Sequence, residues 1–263
     1  METQSEDASS CTLVVPCYNE ELRFHDAAFA HFLVAEPEVN LLFVNDGSRD
    51  GTLACLQTFC DAHPDRCAVL DLQPNGGKGE AVRRGMLHAM AMAPVPTWVG
   101  FWDADLATPL DAYPDFHVVL DTLPEIDMVF GSRIRLLGRH VHRNPMRHYA
   151  GRAFATTVSM TIGLPIYDSQ CGAKIFRATG LLREVLAKPF VSRWIFDVEI
   201  LARFLAIWRS AGTEPERRIY ELPLKVWIDV PGSKVHLSDF FRSFGDLLKI
   251  RASFPTGHGP KGR

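Results

Sequence analysis

Trp98-Val99-Gly100-Phe101-Trp102 carries no charged side chain, and it stops on Asp103-Ala104-Asp105. A short apolar run bounded in this way reads as a strand buried on both faces, which requires helices above and below a mostly parallel sheet. The two aspartates then stand at the carboxyl end of that strand, where open α/β sheets bind their ligands. Carboxylates so close repel one another unless a cation compensates, and a hard divalent ion that also takes phosphate oxygens meets that need. The same residues would also suit a turn, with 105–109 capping the helix that follows.

The rest of the chain repeats the alternation. Apolar runs predict strands over 12–15, 40–45, 68–72, 98–102 and 126–131, and helical periodicity predicts helices over 20–34, 52–62, 78–91 and 110–120. No internal linker divides the 263 residues, so one α/β domain over 11–254 is expected, with residues 1–10 and the tail 255–263 disordered. The polar start does not read as a signal peptide, and no apolar run is long enough to span a bilayer. Six cysteines show neither a CxxC pair nor zinc spacing, which fits reduced thiols in a cytoplasmic protein.

The net charge of −3 conceals a division. Residues 1–130 balance to −15 and residues 131–263 to +12. An acidic half suits a metal and a basic half suits an anionic partner. No nucleic-acid motif accompanies the basic half, so a phosphate on a small molecule or lipid is the better partner. Between Gly131 and Tyr167 there is no acidic residue, yet Arg133, Arg135, Arg139, Arg143, Arg147 and Arg152 fall there with His140, His142 and His148. Arginine forks match phosphate oxygens, although a basic solvated loop would show the same composition.

The ends of the expected strands carry polar sets in order: PCYNE at 16–20, NDGSRDGT at 45–52, NGGKG at 75–79 and DAD at 103–105. The first lacks the G-x-G-x-x-G of a dinucleotide fold, and NGGKG lacks the upstream glycine and the Ser or Thr of a P-loop. Downstream lie Gly131-Ser132-Arg133, DSQCGAKIF at 168–176, RWIFDVE at 193–199 and WIDVPGSK at 227–234. Together these resemble the family 2 glycosyltransferases of GT-A fold, closest to the dolichyl-phosphate β-glucosyltransferase branch, over about residues 11–250.

The resemblance implies a nucleotide-sugar half over 11–130 and an acceptor half over 131–254. It implies that Pro16, Tyr18, Glu20 and Asp46 hold the base and ribose, with Gly77, Lys78 and Gly79 lining the same pocket. Asp103, with Ala104 beside it, would contact ribose or sugar, and Asp105, with Asp103, would hold Mg2+ or Mn2+ on the diphosphate. Lys234 would close over that diphosphate. Arg133 and Arg147, or Arg143 in its place, would bind the acceptor phosphate with Gln170. Asp197 and Asp168 are the candidates for a base or positioning group. Related mannosyltransferases often carry a further metal-binding side chain where this chain has Ala107. Ala107-Thr108 instead matches the glucosyltransferase pattern.

The expected reaction is inverting transfer of glucose from UDP-glucose to a polyprenyl phosphate. The same donor chemistry with a soluble acceptor, and mannosyl transfer from GDP-mannose, stand as alternatives. A sugar-nucleotidyltransferase would need a glycine-rich, arginine-containing first loop, which is missing. Periodicity over 237–254 places Leu237, Phe240, Phe241, Phe244, Leu247 and Leu248 on one stripe, with Asp239, Arg242, Asp246 and Lys249 elsewhere. That helix could face the core or lie in a membrane interface, which would make the protein peripheral on the cytoplasmic face.

Overall fold

A computed structural model describes residues 10–142, 145–230 and 237–254, the side chains of 145–148 and 237–241 excepted. The expectations for Arg143, Lys234 and the ends 1–9 and 255–263 therefore lie outside the described residues, as does the side chain of Arg147.

The strands are β1 (Cys11–Cys17), β2 (Val39–Asp46), β3 (Cys67–Leu72), β4 (Trp98–Trp102), β5 (Met128–Ser132), β6 (His140–His142), β7 (Ala173–Arg177), β8 (Ile219–Pro223) and β9 (Val226–Ile228). The helices are α1 (Asp26–Ala35), α2 (Thr52–Asp61), α3 (Lys78–Ala91), α4 (Tyr113–Thr122), α5 (Pro145–Ile162), α6 (Gly180–Leu186), α7 (Phe196–Ser210) and α8 (Leu237–Ser253). Seven strands form one sheet in the order β3-β2-β1-β4-β7-β5-β8, and β6 pairs with β9 separately. β7 alone runs against its neighbours β4 and β5. The mostly parallel sheet is thus as expected.

Alternation along each strand divides the core in two. Val14, Val44, Phe101 and Phe176 face α3, α6 and α7, while Leu13, Phe43, Trp102 and Ile175 face the layer of Phe29, Leu56 and Phe116. α3 lies close on the sheet because residue 85 is glycine: a Cβ there would stand 2.5 Å from Val14 Cγ1 and 2.8 Å from Val44 Cγ2. A side chain could not be fitted without moving the helix.

Three expectations need correction. The first helix starts at Asp26, not at residue 20. The Asn19 N–H donates to Ser48 Oγ and the Glu20 N–H to Thr52 Oγ1, and Asn19 has φ of +54°. Side chains of the second strand-end motif thus hold the first one out of helical geometry. The acid-free segment 131–167 is not a loop throughout, since 18 of its residues form α5. The stripe on α8 is rotated from the expected one. Leu247 and Ile250 are buried and Phe244 packs edge-on against Phe154, but Asp246 is buried with them and Leu248 is 67% exposed. Ser192 Oγ donates to Asp246 Oδ2 at 2.8 Å, and this pairing turns the acid inward.

Candidate active site

The C-terminal ends of β1, β2, β4 and β5 and the N-terminal end of β7 share one sheet edge. The crossovers diverge between β1 and β4, which is where such sheets open a crevice.

On the β2 side of that crevice, Asp46 is buried and fully engaged. Its Oδ1 accepts the Gly76 N–H at 2.8 Å, and its Oδ2 accepts the Gly77 N–H at 2.8 Å and Asn75 Nδ2 at 2.9 Å. The carboxylate expected to meet a base therefore clamps the 75–77 turn and shapes the pocket wall. Gly77 has φ of +88°, and a Cβ there would come within 2.8 Å of Arg193 Nε. Arg193 donates in turn to the Gly76 carbonyl at 3.1 Å, tying the RWIFDVE segment to this turn. Sequence reasoning gave Arg193 no role, because its partners lie more than 100 positions away. Pro16 and Tyr18 lie half-buried at the end of β1, and Glu20 Oε1 pairs with Arg23 at 2.8 Å.

Asp103 and Asp105 follow β4 as expected, and Ala104 between them is buried. Lys78, the first residue of α3, reaches across to Asp103 Oδ1 at 2.5 Å. Desolvation works against the Lys78 ammonium, but Asp103, Asp197 and Asp105 outweigh it and raise its pKa. Asp105 Oδ1 accepts the Ala107 N–H at 3.0 Å, and no described protein group donates to its Oδ2. Burial and then the Asp103 charge push the Asp105 carboxyl above the ordinary range. The turn is strained as well as crowded. Leu106 has φ of +51°, a conformation that costs a branched residue about 1–2 kcal/mol. The Trp102 indole fixes the turn by donating to the Thr108 carbonyl at 2.8 Å. Ala107 is buried and its carbonyl takes the Ile228 N–H, so this position packs against β9.

Facing these acids is the DSQCGAK segment. Gly172 lies against Asp103 so closely that a Cβ would stand 2.0 Å from Asp103 Oδ2. Four residues earlier, Asp168 holds Arg133 in a two-pronged bridge, Nε to Oδ2 at 2.6 Å and Nη2 to Oδ1 at 2.7 Å. Asp168 also accepts the backbone N–H groups of Arg133 and Gln170. With both oxygens engaged, it is placed to orient the guanidinium rather than to take a proton. Burial opposes the Arg133 charge, but Asp168 more than restores it and shifts the pKa upward. Glu221 on β8, which sequence reasoning missed, fixes this turn by accepting the N–H groups of Tyr167 and Asp168 and the Ser132 hydroxyl. Gln170 Nε2 is buried with no hydrogen-bond partner among the described residues.

Asp197, on the first turn of α7, pairs with Lys174 at 2.6 Å, and both are buried. Burial raises the Asp197 pKa against the pull of Lys174 and Lys78. Asp105, Asp103, Lys78, Asp197 and Lys174 thus form one set of three acids and two lysines behind the crevice, while Arg133 and Asp168 form a second beside it. Arg147 lies on the first turn of α5.

Comparison with known proteins identifies the chain's relatives. The model of the glycosyl transferase family 2 matches residues 12–188, more than half of the chain. The dolichyl-phosphate β-glucosyltransferase ALG5C of Trichomonas vaginalis is 31% identical over 258 residues, covering 94% of this chain and 72% of the relative. The Saccharomyces cerevisiae and Homo sapiens dolichyl-phosphate β-glucosyltransferases are 28% and 29% identical, covering 97% and 94% of this chain and 78% and 76% of theirs. Among solved structures, glucosyl-3-phosphoglycerate synthase from Mycobacterium tuberculosis, with Mn2+, UDP-glucose and phosphoglyceric acid, superposes with a TM-score of 0.65. It is 18% identical, covering 93% of this chain and 80% of that one.

Proposed function

Because the chain belongs to glycosyl transferase family 2, with a GT-A fold, we propose that it transfers glucose from UDP-glucose to a polyprenyl phosphate with inversion at the anomeric carbon. The observation that carries this reading is the pairing of an acid–lysine crevice with a preoriented arginine at one sheet edge. The three dolichyl-phosphate glucosyltransferases named above, similar over most of the chain, support the same donor sugar and acceptor class.

On this reading the donor occupies the β1/β4 crevice within the 11–130 half, along Pro16, Tyr18, Glu20 and the turn that Asp46 clamps. Asp105 and Asp103 fit a divalent cation: their charges repel, burial raises Asp105, and its Oδ2 takes no described protein donor. They would hold Mg2+ or Mn2+, which when bound supplies neutralisation of the donor's diphosphate. Lys78 is placed to exchange Asp103 for a phosphate oxygen, since its ammonium stays charged.

The acceptor lies on the 131–254 half. Arg133, held rigid by Asp168, retains N–H donors on Nη1 for a phosphate, and Gln170 Nε2 supplies another. Arg147, Arg143 and Lys234 remain candidates from the sequence. A phosphate monoester has a second pKa of about 6, so at neutral pH it is largely dianionic and needs no protein base. One of its oxygens bonds to the anomeric carbon as the bond to UDP breaks, and UDP leaves with the electron pair. Asp197 then acts on Lys174 and Lys78 as a positioning group.

Among the described residues no helix is long and apolar enough to cross a membrane. We place the protein at the surface of a membrane, where its acceptor would reside. The test is to incubate the protein with labelled UDP-glucose, Mn2+ and short polyprenyl phosphates and to extract with organic solvent. Label in the organic phase is expected. Label only in a water-soluble product would favour a soluble phosphate acceptor, and transfer from GDP-mannose alone would replace the donor.

A further inference from the structure

Two residues beyond Arg133, the chain between β5 and β6 makes a turn that leaves its apolar residues outside. Leu137 is 105% exposed and Leu136 is 48% exposed, the only adjacent pair among the described exposed large hydrophobics. The turn is built to hold them there. The Arg139 N–H donates to the Leu136 carbonyl at 3.2 Å, and Gly138 has φ of +78°, the angle of the third residue of a type II turn. Leu137 therefore occupies the tip.

Along its own sequence the loop carries one sign of charge. Arg135 and Arg139 flank the leucines, and no acidic residue occurs from Gly131 to Tyr167. The apolar surface continues sideways. Tyr149 of α5, 73% exposed, shares a cavity of about 470 Å³ with Arg135, Leu136, Leu137, Arg139 and His142. Ile228 of β9, 52% exposed, pairs in register with His142. Asp229, next to Ile228, is the acid nearest to this surface in the sequence. Water gains nothing from an exposed leucine pair, and a solvated loop has no need of it. A bilayer interface suits both chemistries at once: leucines enter the acyl boundary, and arginines stay with anionic headgroups.

We propose that the 134–142 loop, with Tyr149 and Ile228 at its sides, is a contact for an anionic lipid bilayer, seating Arg133 at headgroup depth. This surface differs from the expected α8 stripe, of which Leu247 is buried and Phe244 packs on Phe154. It rests on the lipid-acceptor reading for its purpose, but its test does not, because vesicle binding requires no donor.

The experiment compares the full chain with the Leu136→Ser/Leu137→Ser double variant in sedimentation with phosphatidylcholine vesicles, with and without phosphatidylglycerol. The wild type is expected to bind the anionic vesicles and to release them as salt rises. Two leucines withdrawn from an interface should lower that binding by at least about tenfold. In detergent, transfer to a short polyprenyl phosphate should stay within about twofold of the wild type, because neither leucine touches the site. Failure of the wild type to bind anionic vesicles, or equal binding by the variant, would overturn the proposal. A wild-type dimer in the absence of lipid that becomes monomeric in the variant would also overturn it, making a second copy the occupant. Loss of detergent activity in both proteins with vesicle binding intact would instead count against the proposed function alone.

Discussion

Replacing Gly172 by alanine should disable the donor side of the crevice while leaving the sheet intact. The added Cβ would stand 2.0 Å from Asp103 Oδ2, 2.2 Å from its Cγ and 2.7 Å from Oδ1. Ordinary carbon–oxygen contact needs well over 3 Å, so the carboxylate must move by about 1 Å or more. Its freedom to do so is limited by Lys78, which bonds Oδ1 at 2.5 Å, and by the Asp103 N–H, which donates to the Gly172 carbonyl at 3.0 Å. Crowding of this kind costs about 1–3 kcal/mol of stability, or about 2–4 °C of melting temperature per kcal/mol in a chain of this size. A displacement of about 1 Å at a binding carboxylate costs about a hundredfold in kcat/KM. Calorimetric titration with UDP and Mn2+ should show the donor loss directly, and steady-state transfer should show it in the UDP-glucose KM. Gly180→Ala is the control, since a Cβ there meets nothing within 4 Å. A Gly172→Ala protein with wild-type UDP affinity and turnover would refute the placement of Asp103 at the donor.

Asp105→Ala should abolish metal-dependent turnover with little loss of apo stability. Its one backbone acceptor bond is worth about 1 kcal/mol, and a repelling charge goes with it; the readout is loss of the Mn2+-dependent thermal shift with UDP. Arg133→Ala should raise the acceptor KM while UDP binding persists, and equal loss of UDP binding would show that Arg133 belongs to the donor. Because it breaks the buried two-pronged bridge to Asp168, Arg133→Ala should also cost about 3–5 kcal/mol in urea unfolding. Lys174→Met should leave Asp197 buried and unpaired at a similar cost, with a pH signature. Burial already raises the Asp197 pKa, so its ionisation favours the unfolded chain. That penalty is absent below the ordinary carboxylate pKa and grows as pH rises through the folded value, the more so once Lys174 is gone. The stability deficit of the variant should therefore be smaller at acid pH than at neutral pH. A deficit independent of pH would remove Asp197 as its cause.

The architecture was legible wherever one face or both faces of an element dictate residue type. β4 is apolar because both its faces are covered, and the turn after it had to be polar because it meets solvent and ligand. What could not be read are pairings between distant residues. Lys174 lies in a strand core where a lysine contradicts propensity, and Asp197, 23 positions on, together with the Cys171 carbonyl makes it tolerable. Glu221 and Arg193 were invisible for the same reason: their partners are Tyr167, Asp168 and the Asn75–Gly76 turn. Asp46 was found as a site residue, but its hold on the 75–77 turn was not legible, since a strand-end acid looks the same whether or not it also binds backbone. On α8, counting apolar residues put Leu248 on the apolar stripe and Asp246 off it. The hydrogen bond from Ser192 decides the opposite, and a stripe count cannot include it.

The reversal of β7 brings residues of the two halves of the chain together at one sheet edge. In a fully parallel sheet the segment preceding a strand lies at the edge away from the ligands. Because β7 runs against β4 and β5, its leading turn falls at their carboxyl ends instead. Five residues, Asp168 to Gly172, then touch both sides of the crevice: Asp168 holds Arg133, and Gly172 gives Asp103 its place. On the proposed reading, donor and acceptor would be set at a fixed spacing by the backbone of this one short turn. The turn is itself anchored at both ends, through Glu221 to β8 and through the Asp103 N–H to the Gly172 carbonyl. A change at its Asp168 end should therefore act on the acceptor and a change at its Gly172 end on the donor. If Asp168→Asn weakened UDP binding as much as Gly172→Ala does, the turn would be a single support rather than a spacer.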